Sequence, residues 1–373
     1  MKQEYLIVIF AIIVMLFYFI VATPAMNDDG FQYEGFTESV AQGHLDFRSF
    51  YGFQGLSFFA VPVFWLTHSH NSIIITSVIF SLLSLLLAYF VGKGFYGSSR
   101  AGIYSLILFL LMPYPYTTLM RGFQEAALLF FVLLILWGSL NKKLWTPIAW
   151  GIGGIVKPFA LTLLPLFLGD YLSRKKIVWP VVAVMLGLLY LGANYHQTGH
   201  FVNDAAINSY QGNFDPGSNP PLLKSFTFGF KEIFRVGANL LVASRKIMIS
   251  PFLIIIGVWS LLKNKDFKWR YKFIFSIILN VLLVSVLTFS FSKYLIPAVV
   301  LLALSAIPFL EKHKWAMWIV FADSLTVFIP IWQFFGHVFW SNLYIYLLPF
   351  WLAVALFIFY EYVFQKHYFN TNS

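Results

Sequence analysis

The sequence predicts an all-α integral membrane protein, a bundle of about twelve transmembrane helices. Of the 373 residues, 60% are hydrophobic and 11% are charged, whereas an average soluble domain carries about 25% charged residues. The apolar residues fall in blocks of roughly 15–22, the length that crosses a bilayer as a helix. Aromatic residues reach 20%, with 43 phenylalanines, which suits lipid-facing surfaces and interfacial belts.

Twelve blocks are predicted to span the membrane, and the chain 1–373 is predicted to be a single transmembrane domain. They are residues 4–22, 71–92, 101–119, 123–140, 145–157, 158–172, 177–193, 247–262, 273–290, 294–310, 315–333 and 343–360. We interpret the first block as an uncleaved span, because no small-residue cleavage site of the A-x-A type follows it.

The block at residues 54–67 is short for a span and ends at two histidines. If it does not cross and the N-terminus is cytoplasmic, most of the 25 lysines and arginines lie inside, including the runs at 174–176 and 263–272. If it crossed, those runs would lie outside, against the positive-inside rule. We therefore expect an interfacial or re-entrant segment on the outer face. The same rule explains most of the +10 net charge without a nucleic-acid partner.

This threading leaves two long outer loops, 23–70 and 194–246, and only short inner loops, so the chemistry is expected to face outward. Loop 23–70 begins with the pair Asp28-Asp29 directly after the first span. A carboxylate there can deprotonate a hydroxyl as a general base, or the pair can hold a divalent cation. The alternative is an acidic, solvated loop.

Residues 31–43 are predicted to form a helix lying on the membrane. Phe31, Phe36 and Val40 form its apolar stripe, whereas Glu34 and Glu38 are four residues apart on another face. Both glutamates also fit a solvated surface.

Two lysines sit at bare outer turns between apolar blocks. Lys157, followed by Pro158, divides the apolar run 144–172 into a hairpin, and Lys293 lies between two later spans. Each lysine must reach water by snorkelling or find an anion. Two such cations on the face that carries the acids suggest a phosphate site.

Further polar residues have two interpretations each. At a third outer turn Glu125 points into a cavity, or else it pairs with Arg121 and caps a helix. Asp323 lies inside a predicted span and is a candidate functional acid. The histidines that come near one another lack the spacing of a zinc site; they are His68, His70, His196 and His200. No phosphate-binding or dinucleotide-binding glycine motif is present.

These motifs, in this order, resemble the GT-C glycosyltransferases. The stretch from Asp28-Asp29-Gly30 to Gly43-His44 resembles their first outer loop, and 54–67 resembles their non-crossing juxtamembrane segment. The glycine-rich stretch 151–158 and the Ser/Lys-Tyr-x-x-Pro turn at 290–297 match later motifs, and 121–125 lies where many members carry a second acid. The pattern is similar to the protein O-mannosyltransferases and the lipid A aminoarabinose transferases over roughly residues 1–310.

The resemblance implies a GT-C transmembrane bundle in the plasma membrane of a prokaryote. It implies transfer of a sugar, with inversion, from a polyprenyl-phosphate donor to an acceptor hydroxyl of a glycan, lipid or protein on the outer face. Asp28 would be the base, with Asp29 secondary and a divalent cation at the pair as an option. Loop 194–246 would be a lid or acceptor surface. The other implied residues bind the donor phosphate (Lys157, Lys293, Arg121 and Arg48) or the substrate (Glu34, Glu125 and Tyr294).

Two other functions fit a polytopic chain. A polysaccharide polymerase or ligase fed by lipid-linked sugar would use outer-loop arginines such as Arg235 and Arg245. A lipid or solute transporter would carry repeats and midplane charges, for which only Asp323 qualifies.

Overall fold

The computed structural model describes residues 3–50, 53–172, 176–199, 201, 249–285, 292–333 and 342–364, and every regular element within them is helical. The first ten α-helices are α1 (Gln3–Val21), α2 (Asp28–Ala41), α3 (Gly55–Thr67), α4 (Ser72–Tyr96), α5 (Ser99–Leu110), α6 (Pro113–Leu119), α7 (Glu125–Leu140), α8 (Thr146–Val156), α9 (Leu168–Tyr171) and α10 (Val178–Thr198). The later ones are α11 (Pro251–Lys263), α12 (Arg270–Ser285), α13 (Ile296–Lys312), α14 (Lys314–Ile331), α15 (Leu343–Tyr346) and α16 (Leu348–Ile358). Short 3₁₀ segments cover Pro158–Leu166 and Ser292–Leu295, and a π-helical turn covers Phe359–Phe364.

Within the described residues, every predicted span corresponds to one, two or three consecutive helical segments. By length and composition, three helices of the described part can cross a membrane on their own, namely α1, α4 and α10. Proline explains two of the divided spans, because it lacks the N–H that continues a helix. Pro113 begins α6 after α5 has ended, and the predicted span 158–172 is a 3₁₀ helix with Pro165 inside it, followed by α9. The number of twelve spans stays a prediction.

The bundle has a buried centre and an apolar periphery. Every residue of α5 from Ala101 to Leu110 is buried, and α13 is buried along nearly its whole length. A helix that is hydrophobic on all sides belongs in the interior. Helix α1 instead presents an apolar stripe outward, with Ile20 71% exposed; its other members are Leu6, Phe10, Ile13 and Phe17. That stripe is the surface expected to meet lipid, as in an integral membrane protein.

Helix α3 is the short block that was expected not to cross. It has 13 residues, with Pro62 inside it. At a rise of about 1.5 Å per residue it spans roughly 20 Å, less than the bilayer core of about 30 Å. Its placement on the outer surface stays a prediction.

Helix α2 confirms the predicted helix of the first loop. Of its apolar stripe, Phe36 and Val40 pack in one cluster, whereas Phe31 does not. Gly43 ends it with a φ of +87°, a conformation that favours glycine. Phe36 is fully buried against three other rings at 5.3–5.5 Å, whereas Phe31 is 63% exposed. The stripe divides because residues five positions apart point in different directions on a helix. The second long loop, 194–246, lies outside the described residues at 200 and from 202 onward.

Candidate active site

The acidic pair lies in the first turn of α2. The side chain of Asn27 accepts a hydrogen bond from the Gly30 N–H at 3.1 Å and so caps the helix. Carboxylates in a first helical turn interact favourably with the positive end of the helix dipole. Asp29 is half-buried there, and Asp28 is the first helical residue, with a side chain that is not among those described.

The start of α2 is locked against the turn that carries Arg121. The Ala25 N–H donates to the Met120 carbonyl at 3.1 Å, and the Asn27 N–H donates to the Arg121 carbonyl at 3.3 Å. A Cβ atom on Gly30 would lie 2.3 Å from that same Arg121 oxygen. A Cβ atom on Gly122, whose φ is +79°, would lie 2.7 Å from the Gly30 Cα. Two glycines therefore let the acidic turn and the arginine turn touch through their backbones.

Glu34 anchors the same helix at a second point. Its carboxylate accepts hydrogen bonds from the Ser72 hydroxyl and, at 2.8 Å, from the Ile73 N–H, so it caps the start of α4. Burial raises the pKa of Glu34, and the hydrogen bonds from Ser72 and Ile73 oppose that rise. Both oxygens are engaged in positioning α2 on α4. Its predicted role in binding substrate stays a prediction.

Lys157 and Glu125 form a buried ion pair. Helix α8 ends at Val156, and Lys157 continues it in an extended conformation before Pro158. The Lys157 Nζ lies 2.5 Å from the Glu125 Oε1, and the two side chains are 11% and 0% exposed. A charge this deeply buried requires an opposite charge or a neutral form. An acid of the protein itself is thus a counter-ion of Lys157. The role of Lys157 in binding a phosphate stays a prediction.

Tyr294 completes the cluster from a later segment of the chain. Its ring stacks on Phe159 at 4.3 Å between centroids, and the Lys157 Nζ lies 5.7 Å from the same ring. The carboxylates of Glu125 and Asp29 lie close enough to act electrostatically on the Tyr294 hydroxyl. Lys293 precedes Tyr294 on the turn Ser292–Leu295, and its side chain is not among those described. Its approach to the same phosphate as Lys157 stays a prediction.

The two predicted arginines lie in different surroundings. The Arg121 guanidinium lies 5.6 Å from the Phe123 ring, on the turn that is locked to α2. The exposed Arg48 donates from Nε to the carbonyl of Gln197 at 2.8 Å, at the end of α10. The structure therefore joins Arg121 to the acidic turn and Arg48 to α10.

The remaining candidate acid, Asp323, has a local role. Asp323 accepts hydrogen bonds from the Ser250 hydroxyl at 2.5 Å and from the Phe252 N–H at 3.1 Å, at the start of α11. Capping a helix explains this acid without any substrate.

Among the described residues, no group of three or more histidine, cysteine and acidic side chains is arranged to hold a metal ion. A divalent cation at Asp28 and Asp29 stays a prediction.

Several residues of the cluster were missed by sequence reasoning. Phe159 was treated as part of an apolar span, yet its ring supports Tyr294. The Gln124 amide donates to the Phe53 carbonyl and so ties the α7 turn to the segment before α3. Gly30 and Gly122 were the only sequence signal for the contact between the two turns, since each glycine directly follows a charged residue in a loop.

Comparison with known proteins identifies the fold. No protein-family model matches the sequence, and no curated protein matches it either. Among solved structures, ArnT from Cupriavidus metallidurans bound to undecaprenyl phosphate is similar at 16% identity and a TM-score of 0.53, covering 95% of this chain and 70% of that one. The apo state of the same protein gives 13% identity and a TM-score of 0.53, covering 95% and 74%. The chain therefore has the ArnT fold, as the resemblance to the GT-C glycosyltransferases implied.

Proposed function

We propose that this protein is a GT-C glycosyltransferase that moves a sugar from a polyprenyl-phosphate donor to an acceptor hydroxyl on the outer face of the membrane. One observation carries the proposal. The acidic turn of α2, the turn 121–125, Lys157 and Tyr294 meet in one cluster, although they come from four separate parts of the sequence. The ArnT structure that holds undecaprenyl phosphate gives a precedent for such a lipid on this fold.

The donor phosphate is bound by the basic side of this cluster. Lys157 supplies an ammonium group, and Tyr294 supplies a hydroxyl whose ring lies beside that ammonium. Lys293, on the turn that carries Tyr294, and Arg121 add further positive charge, with Arg48 at the edge. Preorganised cations of this kind stabilise the charge that develops on a leaving phosphate.

Asp28 is the general base in this proposal. The acceptor oxygen attacks the anomeric carbon of the sugar as the bond from that carbon to the phosphate oxygen breaks. The proton of the acceptor hydroxyl passes to the Asp28 carboxylate, and the phosphate leaves on its lipid. A single displacement inverts the anomeric centre. Asp29, half-buried beside it, is secondary or shares a divalent cation with it.

The acceptor, whether glycan, lipid or protein, approaches from the side of loop 194–246 in this proposal. That loop lies largely outside the described residues, and so do Arg235 and Arg245, on which the polymerase alternative depends. Glu34 and Glu125 remain proposed substrate-binding residues, in addition to their contacts within the protein.

The test is sugar transfer from a polyprenyl-phosphate donor by the purified chain in liposomes. Asp28→Asn keeps the shape of the side chain and removes its charge, and we expect transfer to fall by about 10²-fold, the weight of general base catalysis, with donor binding kept. Asp266→Asn, at an exposed turn between α11 and α12, is the matched control and should leave transfer unchanged. Near wild-type transfer by Asp28→Asn would contradict the mechanism and favour the polymerase class.

A further inference from the structure

We propose that the Lys157–Glu125 ion pair is a latch: Glu125 is the resting counter-ion of Lys157, and the phosphate of the donor lipid replaces it. The inference rests on the proposed function and adds a regulation of its phosphate site. In the resting protein the lysine is neutralised by an internal anion. When the donor binds, the pair opens and the Lys157 ammonium moves from the Glu125 carboxylate to the donor phosphate.

The charge balance of the pair supports an exchange. The Lys157 Nζ and the Glu125 Oε1 are 2.5 Å apart, and the Glu125 side chain is fully buried. The closed pair therefore has no net charge to attract a phosphodiester. A phosphate oxygen must come within about 2.7–2.9 Å of the ammonium to form a strong hydrogen bond. In the closed pair the Glu125 carboxylate competes with the phosphate for that ammonium.

Each ion keeps a second stabilising contact when the pair opens. The Lys157 ammonium lies 5.7 Å from the Tyr294 ring, which favours a cation over its face. Glu125 is the first residue of α7, a helix of 16 residues, so its carboxylate remains at the positive end of a helix dipole. Opening the latch therefore does not leave either charge alone in an apolar surrounding.

The position of Lys157 suits a residue that changes partner. It is the one extended residue between the end of α8 and the 3₁₀ helix, with φ −152° and ψ 130°. Its backbone is fixed by a hydrogen bond to the Gly153 carbonyl at 2.8 Å. The backbone thus stays in place, and only the long side chain has to rotate from one anion to the other.

Glu125→Asp tests the latch because it keeps the charge and shortens the side chain by one methylene. The carboxylate then withdraws by about 1.5 Å from the ammonium, which weakens the closed state. When a binding-competent state becomes more populated, apparent affinity rises in proportion, so we expect undecaprenyl phosphate to bind about tenfold more tightly. The measurement is a titration of the full chain in nanodiscs, with undecaprenol, which has no phosphate, as the reference ligand.

Glu38→Asp is the matched control. Glu38 also pairs with a cation at 2.5 Å, but with His70 at the surface, and its substitution should leave the affinity unchanged. Equal or weaker binding of undecaprenyl phosphate by Glu125→Asp, with normal binding by the wild type, would overturn the latch alone. If the wild type bound undecaprenyl phosphate no better than undecaprenol, the proposed donor would be wrong and the latch with it.

A measurement on the wild type guards against misfolding of the variant. In a structure with undecaprenyl phosphate bound, the latch requires the Lys157 Nζ to lie more than about 4 Å from the Glu125 carboxylate, beyond the range of an ion pair. A pair that stays closed around the bound lipid would reject the exchange.

Discussion

In the part of the chain that the structure describes, two glutamates are fully buried in ion pairs, and they lie at opposite ends of α4. Glu125 belongs to the cluster around Lys157, next to the start of α4. Glu361 lies near the other end, which is about 37 Å away for a helix of 25 residues. There the Glu361 carboxylate accepts from the Arg100 guanidinium at 2.7 and 3.1 Å and lies 2.6 Å from the Lys314 Nζ.

The difference between the two clusters lies in what surrounds the carboxylate. Glu361 meets two cations, one of them bidentate, and it joins the end of the chain to the starts of α5 and α14. Glu125 meets Lys157 beside an aromatic stack, at a point where the acidic turn of α2 also arrives. A carboxylate enclosed by cations holds helices together, whereas one paired with a cation of the proposed active site suits exchange and catalysis. Substitutions in the two clusters should therefore affect different measurements.

The largest effect on activity is expected from Lys157→Gln. In the proposed mechanism the substitution removes a cation that stabilises the leaving phosphate, and loss of one such group typically lowers a rate by about 10²–10³-fold. Sugar transfer per folded molecule is the measurement. Lys314→Gln makes the same change in the Glu361 cluster and should leave transfer unchanged. Equal losses in both variants would contradict the separation of roles.

Gly30→Ala should affect the catalytic end without touching either ion pair. The added Cβ would lie 2.3 Å from the Arg121 carbonyl oxygen, so α2 must shift away from the turn. A displacement of about 1 Å at a reacting group can lower a rate by about 10²-fold, and we expect a loss of that order in transfer. Gly187→Ala, on α10 with no atom within 4 Å of the added Cβ, is the matched control. Full activity of Gly30→Ala would mean that α2 does not position the base.

Glu361→Gln should affect stability instead. It removes the buried carboxylate that Arg100 and Lys314 share; because those two side chains are 27% and 40% exposed, we expect the free energy of unfolding to fall by about 1.5–3 kcal/mol, the range for a hydrogen bond to a charged group. The melting temperature in detergent should fall, while transfer per folded molecule stays the same. Glu4→Gln is the control, because Glu4 and its partner Lys93 are 23% and 30% exposed at 3.4 Å, and such pairs contribute about 1 kcal/mol or less. An unchanged melting temperature would refute the structural role of the cluster.

The sequence predicted the fold better than it predicted the contacts within it. The spans at α1, α4 and α10 follow from composition, because a bilayer requires long apolar helices wherever the chain crosses it. The short helix α3 and the helix α2 were also expected, the first from charge distribution and the second from periodicity. Proline was the reason that a predicted continuous span, such as 158–172, became two segments.

The contacts of the site could be predicted only as separate pieces. Lys157 and Tyr294 were candidates, but the Lys157–Glu125 pair joins residues 32 positions apart, and the cap that Glu34 places on Ser72 joins residues 38 apart. No periodic pattern encodes which turn of a bundle meets which other turn. The Glu361 cluster was not foreseen at all, because its members lie on three helices that only tertiary packing brings together.

The smallest effect is expected from a third ion pair, which lies at the surface and should contribute less to stability than the two buried pairs. His70 Nδ1 lies 2.5 Å from the Glu38 Oε1, with the histidine side chain 84% exposed. The hydrogen bond that the His70 imidazole donates to the Glu38 carboxylate raises the pKa of His70 above its usual 6.5, and the charge of Glu38 adds to that rise. A group whose pKa is raised on folding contributes stability at pH values below its unfolded pKa, and loses that contribution as the pH rises through the folded pKa.

The melting temperature of the wild type should therefore decline slightly as the pH rises from 6.5 through the raised pKa of His70. His70→Gln should remove that part of the pH dependence and leave sugar transfer unchanged. A wild type and a His70→Gln variant with the same pH profile would show that this exposed pair contributes nothing measurable, as many surface ion pairs do.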